Sequence, residues 1–493
     1  MRVGLAIALM LSASVAHANA AHRVRVRAAV AASVLRWSRC AGDRTVQCAR
    51  LVVPADYKKP NGSTISVAVA RVPALDPKQR IGSLLVNPGG PGASGVSFTG
   101  QFAAAIQGSD LRSRFDIVSF DPRGVGGTTP VRCLRSGKDY DRLYAVDPSP
   151  DTPAKINTLV NETKSYDAAC QSNAGDLLRH VSTADVVQDM DRLRSALGEE
   201  QISYLGFSYG TYLGAKYADA FPSRVRAFVL DGALDPTLSA DERARGQGIG
   251  FENALTQFLR DCANGACGFV RTGEQPLAAY DRMFNAIETT PMRVGDRLLG
   301  PGEAATGVLA ALYNKQIGWP TLRGALTRLD KGDGRGLLAL FDLYADRQAN
   351  GSYLNTADAN AATNCTDVAS PRDPAAFEQL AKELETKAPH FGRFAAYSGI
   401  VCAFWPVPVT GSAAPVKATG SAPILVIGTT SDPATPYPWA QSLAKQLQNS
   451  VLLTHEGEGH TAFLTGNACI RRAAERYLIE RTPPAVGTRC KAE

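Results

Sequence analysis

Ser208, in the run Gly206-Phe207-Ser208-Tyr209-Gly210, is the residue of this chain best suited by its neighbours to act as a nucleophile. A hydroxyl attacks a carbonyl only when a base takes its proton, so the serine must stand clear of the fold beside an imidazole. The two glycines permit a sharp turn where larger side chains would clash. Ile202 to Leu205 before it reads as a strand, and Tyr209 to Asp219 begins a helix. A lone Gly-x-Ser-x-Gly is a weak signal that ordinary loops share; strand, elbow and helix together make it specific.

The chemistry needs an acid and a base, and on such an elbow they follow in the order serine, acid, histidine. Ile424 to Ile427 runs into Gly428-Thr429-Thr430-Ser431-Asp432, which puts a carboxylate just past a strand's carboxyl end, where parallel α/β sheets build their sites. Asp432 is the expected acid. As a bare turn residue before Pro433 it would have no such role, and Glu456 or Glu458 would then compete for it. Val451 to Thr454 leads into Gly457-Glu458-Gly459-His460, whose glycines let a loop swing the imidazole toward Ser208. His460 is the expected base, and the nearby His455 reads as a strand-end residue. Upstream, Asn87-Pro88-Gly89-Gly90-Pro91-Gly92 follows the strand Ser83 to Val86 and lets the backbone approach a substrate. The N–H groups of Gly90 and Tyr209 are the expected oxyanion hole, each donor worth about 3 kcal/mol in the transition state. A phosphate loop is the rival reading, but no Gly-x-x-x-x-Gly-Lys-Ser/Thr pattern accompanies these glycines.

These residues require a scaffold of short buried strands separated by helices. Thr64 to Arg71 alternates like an edge strand, whereas Ser83 to Val86, Asp116 to Phe120, Ile202 to Leu205, Ala227 to Leu230, Ile424 to Ile427 and Val451 to Thr454 read as fully buried. Ala184 to Leu197 places Val186, Val187, Met190, Leu193 and Leu197 on one face, with Thr183 as expected N-cap and Gly198 as stop. The fold expected is therefore an α/β-hydrolase fold: a mostly parallel sheet flanked by helices. Strand rhythm stops after Asp231-Gly232 and resumes near Ala422. The expected division is a first core part 40–235, a large mainly helical cap 236–420, and a closing core part 421–493, with Val407 to Ser421 leading back into the sheet. Asp121, Arg123 and Asp231 follow strand ends and read as turn-holding residues.

Residues 1–20 have the form of a signal peptide: basic Arg2, apolar Val3 to Val15, and the small-residue site Ala18-Asn19-Ala20. The apolar run is too short to span a bilayer, so no transmembrane segment is expected. The net charge is +7, and six of those charges sit on arginines 2, 23, 25, 27, 36 and 39. Residues 21–39 thus read as a basic leader on a nearly neutral body, which argues against a nucleic-acid partner. Ten cysteines downstream of an export signal point to disulfides. Sequence cannot fix the pairing, although pairing neighbours (40 with 48, 133 with 170, 262 with 267, 365 with 402, 469 with 490) gives short loops. No Cys-x-x-Cys pair or histidine spacing suggests a metal, and no cofactor is required.

With these residues in hand, the chain resembles the prolyl and tripeptidyl aminopeptidase group of α/β-hydrolases, especially secreted bacterial tripeptidyl aminopeptidases with a characteristic (TAP-like) C-terminal domain. The resemblance is carried by Gly82 to Gly92, Asp121-Pro122-Arg123-Gly124, Gly206 to Gly214, Gly428 to Pro436 and Gly457 to His460. It implies a secreted or cell-envelope serine exopeptidase that takes a short peptide, a tripeptide, from a free amino terminus, with the cap limiting how much chain enters. A terminal ammonium in a partly dry pocket needs an acidic partner, and Glu252 and Asp367 in the cap are the candidates. The alternative is a carboxylesterase or lipase-like hydrolase with the same triad, since acyl transfer to water does not distinguish ester from amide.

Overall fold

The computed structural model describes residues 34–265 and 267–492. The signal peptide expected at 1–20 and most of the basic leader lie outside the described residues. The strands are β1 (Ser38–Cys40), β2 (Asp43–Pro54), β3 (Thr64–Val72), β4 (Gly82–Asn87), β5 (Phe115–Phe120), β6 (Ile202–Phe207), β7 (Val225–Asp231), β8 (Met292–Val294), β9 (Arg297–Leu299), β10 (Ile424–Ser431), β11 (Ser450–Glu458) and β12 (Arg489–Lys491). All but the β8–β9 hairpin form one ten-stranded sheet in the order β1-β2-β3-β5-β4-β6-β7-β10-β11-β12. From β5 to β12 every pairing is parallel, and β1, β2 and β3 close the other edge in antiparallel fashion.

The expected parallel α/β sheet is thus present, and its central strands β4, β5 and β6 are buried along their whole length. Continuous apolar runs are what a sheet covered on both faces demands. Successive side chains go to opposite sides: Tyr204, Phe228 and Val426 enter one core, Leu205, Val229 and Leu425 the other. Five strands escaped the sequence reading: β1, β2 and β12 of the main sheet, and the hairpin β8–β9. β2 carries Arg44, Gln47 and Arg50 among its apolar residues, and β1 and β12 have only three residues each.

The helix expected at Ala184 to Leu197 spans Thr183–Ala196, and its cap is Ser182 rather than Thr183. Ser182 Oγ accepts the N–H of Asp185 at 3.2 Å, while the Thr183 hydroxyl is turned to Asp367. Between β7 and β10 the chain is helical apart from the β8–β9 hairpin, beginning with the long helix Ala240–Asn264 and its Ser239/Glu242 capping box. These helices bury a core of their own, around Phe258, Trp319, Leu322 and Phe341. Helices Gly137–Tyr144 and Pro153–Ala174, which precede the elbow in sequence, join that layer: Tyr140 packs into the same core, and both Tyr140 and Tyr166 donate their hydroxyls to Asp358. Five disulfides link Cys40–Cys48, Cys133–Cys170, Cys262–Cys267, Cys365–Cys402 and Cys469–Cys490, the neighbour pairing. Among the described residues no helix is long and apolar enough to cross a membrane.

Candidate active site

β6 runs straight into Ser208, and the helix Tyr209–Ala220 starts at the next residue. Ser208 has φ +56° and ψ −124°, a conformation that L-residues rarely adopt and that strained elbows use to present a side chain. The turn closes because Gly206 has no side chain: a Cβ there would lie 2.4 Å from the carbonyl oxygen of Gly210. The Ser208 N–H donates to the Asp231 carbonyl at the end of β7, at 2.9 Å, which pins the elbow to the next strand.

Asp432 follows β10 and is buried. Both of its oxygens lie 2.9 Å from His460 Nδ1. The same carboxylate accepts the N–H groups of Ala434 (2.9 Å) and Thr435 (2.8 Å), the Thr435 hydroxyl (3.0 Å) and the Thr461 N–H (3.3 Å). So many donors fix the carboxylate in place against the imidazole. Burial lowers the proton affinity of His460, but the charges of Asp432 and Asp231 outweigh it and leave the imidazole above its usual range. Nε2, the other ring nitrogen, is buried and has no partner among the described residues. Tyr313, from the cap, stands edge-on to the imidazole with ring centres 5.3 Å apart, and its carbonyl accepts the His460 N–H at 2.8 Å.

The glycine loop after β4 lies over the elbow: a Cβ on Gly89 would come within 2.9 Å of Ser208 Cβ and 3.3 Å of the Tyr209 nitrogen. Asn87 Oδ1 accepts the Gly89 N–H at 2.9 Å. Neither the Gly90 nor the Tyr209 N–H meets a backbone carbonyl among the described residues. The Tyr209 ring points into the core, where its hydroxyl meets that of Thr183. A serine hydroxyl, an imidazole with a carboxylate on one nitrogen and unpaired amide donors are the groups that acyl transfer requires.

The two acids expected to hold a substrate ammonium both have internal partners. Asp367 is 3% exposed, and its carboxylate accepts the Thr183 N–H at 2.8 Å and the Thr183 hydroxyl. Burial pushes it up to about 6 against those bonds. Glu252 accepts the N–H groups of His390 (2.9 Å) and Phe391 (3.2 Å) and meets His390 Nδ1 at 2.7 Å. Asp121 and Arg123 hold turns as expected. Asp121 accepts from Ser94, Val96 and Gly127, while the buried Arg123 pairs with Asp189 and donates to the carbonyls of Pro54 and Ala55. Thr435 and Tyr313 are additions to the sequence reading. Thr435 had a signal, a hydroxyl three residues after an aspartate, the spacing of a side-chain-stabilised turn; nothing in the sequence marks Tyr313, more than a hundred residues from either loop.

The sequence model of the TAP-like protein family matches residues 388–490, the stretch that carries Asp432 and His460. Along most of its length the chain is similar to serine protease Hip1 of Mycobacterium tuberculosis, 38% identical over 460 residues, covering 90% of this chain and 87% of that one. It is 39% identical over 455 residues to carboxylesterase B of the same organism, covering 91% and 86%. It is also 29% identical over 467 residues to the tripeptidyl aminopeptidase of Streptomyces lividans, covering 92% and 86%.

Proposed function

This chain belongs to the α/β-hydrolase family of serine protease Hip1 and the TAP-like proteins, and from that membership we propose a secreted serine exopeptidase that releases short peptides from free amino termini. Ser208 Oγ attacks the scissile carbonyl while His460 Nε2 takes its proton. Asp432 holds the Nδ1–H tautomer and steadies the imidazolium, and the Gly90 and Tyr209 N–H groups receive the oxyanion. His460 then gives the proton to the leaving amine, and water, deprotonated by the same imidazole, releases the acyl group. The observation that carries the reading is the 2.9 Å contact of Asp432 with Nδ1, which leaves buried Nε2 as the free nitrogen of the ring. Tripeptides are the favoured acyl group, on the similarity to tripeptidyl aminopeptidase of Streptomyces lividans. Five disulfides accord with export to an oxidising compartment.

An ester substrate is the second reading, favoured by the 39% identity to carboxylesterase B. One experiment separates them: pure protein and Ser208→Ala are given a free tripeptide reporter, its amino-blocked form and a short acyl ester. The proposal expects turnover of the free peptide alone among the peptides, abolished in Ser208→Ala. Turnover of the ester with neither peptide cleaved establishes the second reading, and peptide cleavage that survives in pure Ser208→Ala removes both.

A further inference from the structure

We infer that Asp231 is a positioning residue for the reaction: its carboxylate, at the end of β7, anchors the backbone that immediately follows His460 and fixes where the imidazole stands. Both Asp231 oxygens lie 3.0 Å from the Ala462 nitrogen, and Oδ2 lies 2.8 Å from that of Phe463. The side chain is wholly buried and makes no hydrogen bond to another side chain among the described residues. Burying a carboxylate is costly unless donors compensate it, and here the donors are two amides one turn past the base.

The backbone of the same residue grips the nucleophile, because its carbonyl accepts the Ser208 N–H at 2.9 Å. Gly232 extends the joint. Its N–H donates to Ile427 of β10 at 3.1 Å, and at φ +69° a Cβ on it would lie 3.1 Å from His460 Cε1 and 2.9 Å from Thr461 Cγ2. Asp231-Gly232 thus joins the serine elbow, the strand before the acid and the histidine loop. Asp432 governs which ring nitrogen bears the proton; Asp231 governs where the ring is held.

The charged groups facing Asp231 are His460 and Asp432, while Tyr313 covers the imidazole from the cap side. Burial pushes the Asp231 carboxyl up to about 6 despite its amide donors, so it carries its charge at neutral pH and adds to Asp432 in raising the proton affinity of His460.

The inference rests on His460 being the base, so the test includes controls for that reading. Asp231→Asn keeps the size of the side chain but removes the charge and sets an NH2 group against one amide donor. With a peptide or ester reporter that the parent hydrolyses, kcat should fall on the order of 100-fold, the cost of misplacing a catalytic group by about 1 Å, with KM unchanged. The acid limb of the kcat/KM profile should move down by about one pH unit as an opposite charge near the imidazole is lost. A folded variant, checked by its melting transition, with parental kcat and an unmoved limb overturns the inference. If it does not fold, Asp231→Glu is measured instead. It keeps the charge but shifts it by one methylene, so kcat should fall with the limb in place, and full activity overturns the inference. Ser208→Ala and His460→Ala run alongside: loss of activity in both with none in the Asp231 variants refutes this inference alone, whereas activity in either refutes the triad itself.

Discussion

Replacing Asp432 by asparagine probes the imidazole tautomer directly. Oδ1 of Asp432 accepts two backbone N–H groups, from Ala434 at 2.9 Å and Thr435 at 2.8 Å, whereas Oδ2 accepts the Thr435 hydroxyl and the more distant Thr461 N–H at 3.3 Å. An asparagine therefore keeps its single oxygen on the Ala434 and Thr435 amides and places its NH2 where Oδ2 was, pointing a donor at His460 Nδ1. Nδ1 must then be the unprotonated nitrogen, which puts the remaining proton on Nε2, the atom needed to accept from Ser208. The loss of kcat should be about 10⁴-fold, near 5.5 kcal/mol, as for the same substitution in a well-known serine protease triad. The Asp432 charge also raises the imidazole, so the acid limb of the pH profile should lie above 6.5 in the parent and drop in the variant. The assay is initial-rate hydrolysis of the peptide reporter across pH, with the rate of fluorophosphonate labelling of Ser208 as a measure independent of substrate. An Asp432→Asn protein that is folded and keeps a tenth of the parental kcat refutes the tautomer argument.

Gly92→Ala should cut kcat/KM by ~5- to ~150-fold, because its Cβ would lie 2.4 Å from the Thr356 carbonyl of a cap helix at φ +101°, a strain of about 1–3 kcal/mol where that helix meets the glycine loop after β4. Unchanged kinetics would show that the helix gives way freely. Replacing both Cys365 and Cys402 by serine opens a link spanning 37 residues that anchors this helix, and chain entropy sets the stability loss at about 4 kcal/mol, read from urea midpoints. An unshifted midpoint would contradict it. Asp167 is buried, both its oxygens lack partners among the described residues, and burial pushes its carboxyl up to about 8. Its folded proton affinity exceeds the unfolded one, so its share of stability is full below about pH 4 and declines as pH rises to about 8. Asp167→Asn should therefore gain on the parent by a few kcal/mol between those limits, and parallel urea midpoints for the two proteins across that range would rule out the cause.

Much of this site is legible from sequence because its constraints are local. Gly206 and Gly210 around Ser208, the apolar run ahead of Asp432 and the glycines before His460 each record a turn that a strand must make at its carboxyl end. Strand order in α/β folds then brings the three loops to one edge of the sheet. The burial of β4, β5 and β6 follows from their largely apolar composition, and the cap from the loss of strand rhythm after Gly232. Other features are long-range and leave no local trace. Tyr313 reaches His460 only because the cap folds back onto the sheet. Gly137–Tyr144 and Pro153–Ala174 join the cap through Asp358, about two hundred residues on. Glu252 and Asp367 are candidates for a substrate ammonium by sequence, and the fold gives each internal donors. A sequence shows which residues can ionise, whereas only packing decides which partners a buried carboxylate finds. That is why the elements bearing Ser208, Asp432 and His460 were determined by sequence, and the partners of Asp231, Glu252 and Asp367 by the tertiary fold.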